Sequence, residues 1–294
     1  MIIYSLFVQL KILNYKGTEK PPSGGFSVPP TYDILGNNML SWARKRQIMY
    51  LGTILLIVLA ILAGLYFYYK PLPTCFDGKK NQDELGVDCG GSCSKACSSQ
   101  IVPLTTWWTR VFPTTPGNYD VAALVENQNS HFGVGKISYG IRLLDKNNVL
   151  LTERTGETFF NPQEKFVIYE ANISTGSQVP ATAFLYFFNS SPWQRVTFVP
   201  PTLTIGTKDY TNSPQPRLSA KVKNETLNLL RGTKFVAILS DENGNAFAAS
   251  QTVLDTLAGN ESKDLNFTWP TTFPTGPAVT DIYPKLNTFD GGTE

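Results

Sequence analysis

Histidine is nearly absent from this chain. Its 294 residues include one, His131. A metal site built on several imidazoles is therefore excluded, and any Ser/His/Asp or Cys/His catalytic arrangement would have to use that one side chain. His131 stands in the turn-like stretch Gln-Asn-Ser-His-Phe-Gly and reads as a solvated loop residue. Charge is scarce as well: 16% of residues are charged, and a net charge of +2 gives no electrostatic footing for nucleic acid. Cysteine is missing outside residues 75–97, which hold all four.

One stretch lacks charge altogether. From Ile48 to Tyr69 the chain reads IMYLGTILLIVLAILAGLYFYY. As a helix rising about 1.5 Å per residue it reaches roughly 33 Å, enough for a hydrocarbon core of about 30 Å. A helix satisfies its own backbone hydrogen bonds in lipid, so the run is read as a transmembrane helix over 48–69. Arg44, Lys45 and Arg46 precede it and only Lys70 follows directly. The positive-inside rule then puts residues 1–47 in the cytoplasm and the C-terminal domains outside, a single-pass cell-membrane arrangement. Tyr-Phe-Tyr-Tyr-Lys-Pro offers no small-residue cleavage site, so an uncleaved signal-anchor fits better than a signal peptide. Residues 16–38, rich in Gly, Pro, Ser and Asn, read as a disordered tail. Residues 1–38 have no assigned role, and a start at Met39 would leave a short basic lead before the anchor.

Beyond the anchor, residues 70–99 read as a proline spacer and a cysteine-rich module. Cys75, Cys89, Cys93 and Cys97, on the outer side of a membrane, favour two disulfides, with three pairings open. The spacing C-x13-C-x3-C-x3-C lacks the paired knuckles usual for zinc. Asp77, Asn81, Asp83, Glu84 and Asp88 are interleaved with Gly78 and Gly86. Hard oxygen donors on a tied loop suit Ca²⁺, the one cofactor considered; a solvated acidic turn region is the alternative.

From Pro103 onward, alternating apolar and polar residues are broken by turn signals, as in a β-sandwich. The text repeats at an offset of about 97 residues, which implies two tandem domains, 100–200 and 201–294, joined near Pro200-Pro201. Val121-Ala-Ala-Leu-Val-Glu-Asn127 answers Leu218-Ser-Ala-Lys-Val-Lys-Asn224. A strand ending in Asp145 answers one ending in Asp241, and Asn161-Pro-Gln-Glu-Lys165 answers Gly259-Asn-Glu-Ser-Lys263. Ile137, Tyr139, Ile141 and Leu143 are expected on one buried face, and Phe235, Ala237 and Leu239 on another. The fold class expected is mainly β, with one N-terminal transmembrane helix, a small cysteine module and two immunoglobulin-like sandwiches.

This order of Val-x-Asn, Leu-x-Asp, a Gly/Asn turn and a Glu-bearing loop resembles the FxLYD-like immunoglobulin-like domains of bacterial surface proteins. The family's Tyr is missing from Ile141-Arg-Leu-Leu-Asp145 and Ala237-Ile-Leu-Ser-Asp241. The run Cys75, Asp77, Gly78, Asn81, Glu84, Gly86, Asp88, Cys89, Gly90, Gly91 and Cys93 resembles a cysteine motif of bacterial envelope proteins. The resemblance implies an envelope-exposed, non-enzymatic module, with no catalytic residue carried over. The function expected is a membrane-anchored spacer or a protein- or glycan-binding module. Its expected partners are the lipid bilayer and other envelope proteins or cell-wall glycans, without nucleic acid. A subunit or assembly factor of an envelope complex is the alternative. Trp107, Trp108, Phe112 and Trp193 are weighed as an exposed aromatic platform and read instead as packing.

Overall fold

The computed structural model describes residues 42–70, 72–196 and 202–289. The charge-free run is helical, but the helix, α1 (Trp42–Tyr69), begins upstream of Ile48 and carries the basic flank. Ala43, Arg44, Lys45, Arg46 and Gln47 favour helix, so the backbone continues through them; only the apolar part is sized to lipid. Arg46 places its guanidinium 4.0 Å from the centre of the Trp42 ring. No side chain of α1 is buried against protein, and the helix is long and apolar enough to cross a membrane. Expectations for residues 1–41, and for the joint at Pro200-Pro201, lie outside the described residues.

The remainder is built of antiparallel strands. β1 (Thr105–Thr115), β2 (Asn118–Glu126) and β5 (Lys165–Ser174) form one sheet in the order β1-β2-β5. Facing it, β3 (Phe132–Leu144), β4 (Leu150–Phe160) and β6 (Thr182–Ser190) run in the order β4-β3-β6. A two-residue strand, β7 (Gln194–Arg195), pairs with the start of β3. The second sandwich has the same arrangement. Here β8 (Leu203–Thr211), β9 (Arg217–Asn224) and β12 (Ser262–Thr268) are ordered β12-β9-β8. Opposite them, β10 (Leu230–Ser240), β11 (Ala246–Leu257) and β13 (Val279–Lys285) are ordered β11-β10-β13. Both are immunoglobulin-like sandwiches.

Each sandwich fills its own interior. Ile137, Tyr139, Ile141 and Leu143 meet Val121, Ala123, Val125 and Phe166 in the first. Phe235, Ala237 and Leu239 meet Leu218, Ala220, Val222 and Phe267 in the second. The recurring polar residues hold equivalent bonds in both halves. Asn127 and Asn224 are fully buried at the ends of β2 and β9. Asn127 Nδ2 donates to the carbonyls of Phe132 and Asn161, and Asn224 Nδ2 to those of Asn228, Leu257 and Ala258. Asp145 accepts from the amides of Asn147 and Val149, as Asp241 does from Asn243 and Asn245. The tight turns that follow place Asn148 and Gly244 at positive φ, which Asn tolerates and Gly adopts freely. Glu164 caps the Asn161 amide and Glu261 the Ala258 amide.

The alternation expected for β2 and β10 is incomplete, because both strands are buried on both faces. Phe112, Ala122, Leu124 and Val167 of the first sandwich form a third cluster with Val236, Ile238, Ala246 and Ala249 of the second. Sheet β1-β2-β5 therefore packs face to face on sheet β11-β10-β13, giving a stack of four sheets with three apolar layers. Burying a side chain such as Leu124 or Ile238 contributes roughly 1.5–3 kcal/mol, against about 0–1 for an exposed ion pair. The seam is thus apolar in origin.

Candidate functional site

Two disulfides tie the cysteine module: Cys75 to Cys93 and Cys89 to Cys97, with sequence separations of 18 and 8. The module is pinned to the first sandwich rather than standing free. The Ala96 amide donates to Trp193 O at 2.8 Å and the Arg195 amide donates to Ser94 O at 2.7 Å, while just beyond the module Asn129 exchanges two bonds with the backbone of Val102.

The five oxygen-bearing residues of this module brace its loops. Asp88 accepts from the Gly78 amide through both carboxylate oxygens, at 3.1 and 3.0 Å. Desolvation is the largest single influence on the Asp77 carboxyl and raises it, but the bonds it accepts from the Lys79 amide and from Asn81 Nδ2 combine with its other contacts to hold it below the usual range. Glu84, buried, accepts from the amides of Asn81 and Asp88, and Asp83 accepts from Ser92 Oγ. Asn81 Oδ1 is buried without a hydrogen-bond partner. Among the described residues no three of these carboxylates have oxygens within 4.8 Å of one another; the group that does meet that distance is Glu84 with Cys75 and Cys93, whose sulfurs are in a disulfide.

At one edge of the inter-sandwich seam lies a group that sequence reading did not single out. Lys285 of β13 is buried, and its ammonium donates to the Phe159 carbonyl and lies 3.4 Å from Glu164 Oε2. The rings of Phe159 and Phe160 are 4.2 and 4.7 Å from its nitrogen, and Phe166 is closer still. Burial pushes the Lys285 pKa down to about 7, with Glu164 opposing the shift and Lys234 adding to it. Asn161 completes the clasp by donating to Leu286 O at 2.9 Å and accepting from Thr288 Oγ1.

The outward face of sheet β4-β3-β6 carries a three-by-three grid set by strand register. Arg142 lies between Glu153 and Phe184, Gly140 between Thr155 and Tyr186, and Ser138 between Glu157 and Phe188. Phe184 and Phe188 are 57% and 36% exposed. Their rings flank Tyr186 at centroid distances of 6.5 and 5.6 Å and interplanar angles of 17° and 29°. Tyr186 reaches across Gly140, where a Cβ would collide with its ring, and donates to Glu153 on β4. The ring therefore lies along the sheet rather than standing off it. Arg142 donates to Glu153 at 2.9 Å and sits 4.8 Å from the Tyr186 ring centre.

The aromatics weighed from sequence are placed elsewhere. Phe112 is buried in the seam, Trp108 packs against it, and Trp193 packs on the first core. Trp107 is 55% exposed, with Lys165 over its ring and its indole N–H donating to Glu126. His131 is exposed in its loop. The Phe184-Leu-Tyr-Phe-Phe188 text does contain a signal for the outer row: aromatic residues at i, i+2 and i+4 share one strand face. The apolar residues between them conceal that period.

The chain thus combines one helix able to cross a membrane, a disulfide module and two immunoglobulin-like sandwiches. No family model matches it, and no curated protein matches it. Among solved structures, red sea bream transglutaminase is similar over 63% of this chain and 31% of its own length, at 10% identity and a TM-score of 0.19. The chain spans about a third of that protein, and a likeness at this level carries no functional argument.

Proposed function

We propose that this chain is a membrane-anchored, non-enzymatic binding module of the cell envelope, with its sandwiches outside and the basic flank of α1 inside. The observation that carries the reading is the face-to-face seam. Tandem sandwiches that act as spacers gain reach by joining end to end, whereas here an apolar layer and the Lys285–Glu164 clasp fold the second domain back on the first. Reach is given up for a rigid block with defined outer faces, which suits presentation of a binding surface. The equivalent bonds of Asn127 and Asn224, Asp145 and Asp241, and Glu164 and Glu261 support an origin by duplication, in line with the FxLYD-like resemblance. A cavity of about 640 Å³ beside Trp108 and Tyr119 is lined by no carboxylate, histidine or cysteine, which supports binding over catalysis.

Protease shaving of intact cells that express the chain with a tag at each terminus tests the placement. Loss of the C-terminal tag with survival of the N-terminal one is expected. The reverse pattern would overturn the reading, because the sandwiches would then face the cytoplasm.

A further inference from the structure

We propose that the outer face of sheet β4-β3-β6 binds a neutral polysaccharide, stacked along Phe184, Tyr186 and Phe188; this deepens the binding-module reading and rests on it. The two sandwiches stack front to back. Sheet β11-β10-β13 of the second is the topological counterpart of sheet β4-β3-β6 of the first, and it is the sheet that docks. Register makes the equivalence specific: Tyr283 lies beside Val236 and Gln251 as Tyr186 lies beside Gly140 and Thr155. Ile238 and Ala249 occupy the positions of Arg142 and Glu153. Front-to-back contacts of this kind are heterologous and would propagate if both free ends kept docking chemistry.

They do not keep it. On the far end, the positions equivalent to Leu124 and Val167 are Lys221 and Asp264, an ion pair at 4.0 Å, and Ser219 with Asn266 replaces Ala122 with Tyr169. That end is capped by polar groups. On the near end Gly140, Arg142 and Glu153 replace Val236, Ile238 and Ala249, and an aromatic row is added: Phe184 and Phe188 stand where the second sandwich has Asp281 and Lys285. The face therefore rejects a third apolar sheet while offering three nearly parallel rings.

A matching ligand must be amphipathic at the scale of one ring, with flat C–H surfaces for the aromatic row and hydroxyls for the polar row beside it. Ser138, Thr155 and Glu157 supply donors and acceptors within the same sheet. Charge excludes a polyanion, since Arg142 is paired with Glu153 and Lys136 with Glu157. An extended peptide would use the backbone edge of a strand, whereas these side chains occupy the face. A sugar chain fits all three constraints.

The test uses the full chain in nanodiscs and measures depletion onto microcrystalline cellulose and chitin, with poly-L-proline as a peptide probe. Binding to at least one polysaccharide is expected, and Phe184→Ala with Phe188→Ala should weaken it roughly tenfold or more without moving the melting temperature. Trp107→Ala, an exposed aromatic off this face, should leave it unchanged. Absence of polysaccharide binding, equal binding by the double variant, or face-dependent capture of poly-L-proline alone would each overturn the proposal. Face-dependent self-association of the chain without sugar binding would also overturn it, in favour of a second copy. None of these outcomes bears on which side of the membrane the sandwiches occupy, so failure here is distinct from failure in protease shaving.

Discussion

The ammonium of Lys285 and the carboxylate of Glu164 meet at 3.4 Å across the seam between the two sandwiches, inside a wall of three phenylalanine rings. Lys285 comes from the last described strand of the second domain, and Glu164 caps a loop of the first. The pair has a specific energetic consequence. Removing one member strands the other in low dielectric, whereas replacing both by uncharged side chains of similar volume need not cost stability.

Lys285→Ala should therefore lower the unfolding free energy by roughly 2–4 kcal/mol, below the full range for a deeply buried pair because Glu164 keeps some solvent contact. Lys285→Met with Glu164→Gln should come within about 1 kcal/mol of the parent, because the two charges are removed together and the aromatic wall stays filled. Urea unfolding of both variants decides; equal losses would place the stability in the charge rather than in the packing.

The same lysine sets a pH dependence. Its folded pKa of about 7 lies below the unfolded value of about 10.4, so between these limits the unfolded state binds more protons. Stability should rise as pH increases from about 7 to 9.5, with a slope of at most about 1.4 kcal/mol per pH unit. Below pH 7 both states are protonated, and this group adds no slope. Above about 10 the trend should reverse, because burial and carboxylate bonds raise the Tyr139 and Tyr169 hydroxyls well above their ordinary range. Melting curves of the parent and Lys285→Met from about pH 6 to about pH 9.5 check this; the rise should be absent in the variant.

Exchanging the seam and cap residues should exchange their behaviour. Leu124→Lys puts the residue found at Lys221 into the buried layer and should open the stack, read as a larger radius of gyration in small-angle scattering. Lys221→Leu with Asp264→Val creates an uncovered docking face and should cause concentration-dependent association that closes at the dimer, two such faces meeting because the opposite end keeps Arg142 and Glu153, read by light scattering. A monomeric double variant would show that two apolar positions are too few to dock a sheet.

The disulfides should stabilise the module locally. Reduction should expose residues 75–97 to protease while the sandwiches keep most of their melting temperature, since each core is filled without the module. The bridge with a separation of 18 is worth roughly 3 kcal/mol by loop closure, so Cys75→Ser with Cys93→Ser should be more damaging than loss of the Cys89–Cys97 pair. Hydrogen exchange over the module reports both.

Much of the fold was legible because it depends on local rules. The charge-free run, the turn aspartates at 145 and 241, and the alternation of β3 follow from helix length, Asx geometry and strand period. The two-sided burial of β2 was also present in the text: Val121-Ala-Ala-Leu-Val125 has apolar residues where its counterpart Leu218-Ser-Ala-Lys-Val222 alternates. A continuous apolar strand signals cover on both faces, but only pairing the two copies separates it from a merely hydrophobic strand. Lys285 gave no signal, since a lysine at the end of a strand is ordinarily solvated.

The sequence by itself determined a helix able to cross a membrane, four cysteines in one short module and two β-sandwiches, because period, length and composition act over a few residues at a time. The tertiary structure alone decided the disulfide pairing, the front-to-back seam and which aromatic residues stay in solvent. Those depend on which surfaces lie opposite one another, and residues as far apart as Glu164 and Lys285 become neighbours only once two sheets have stacked.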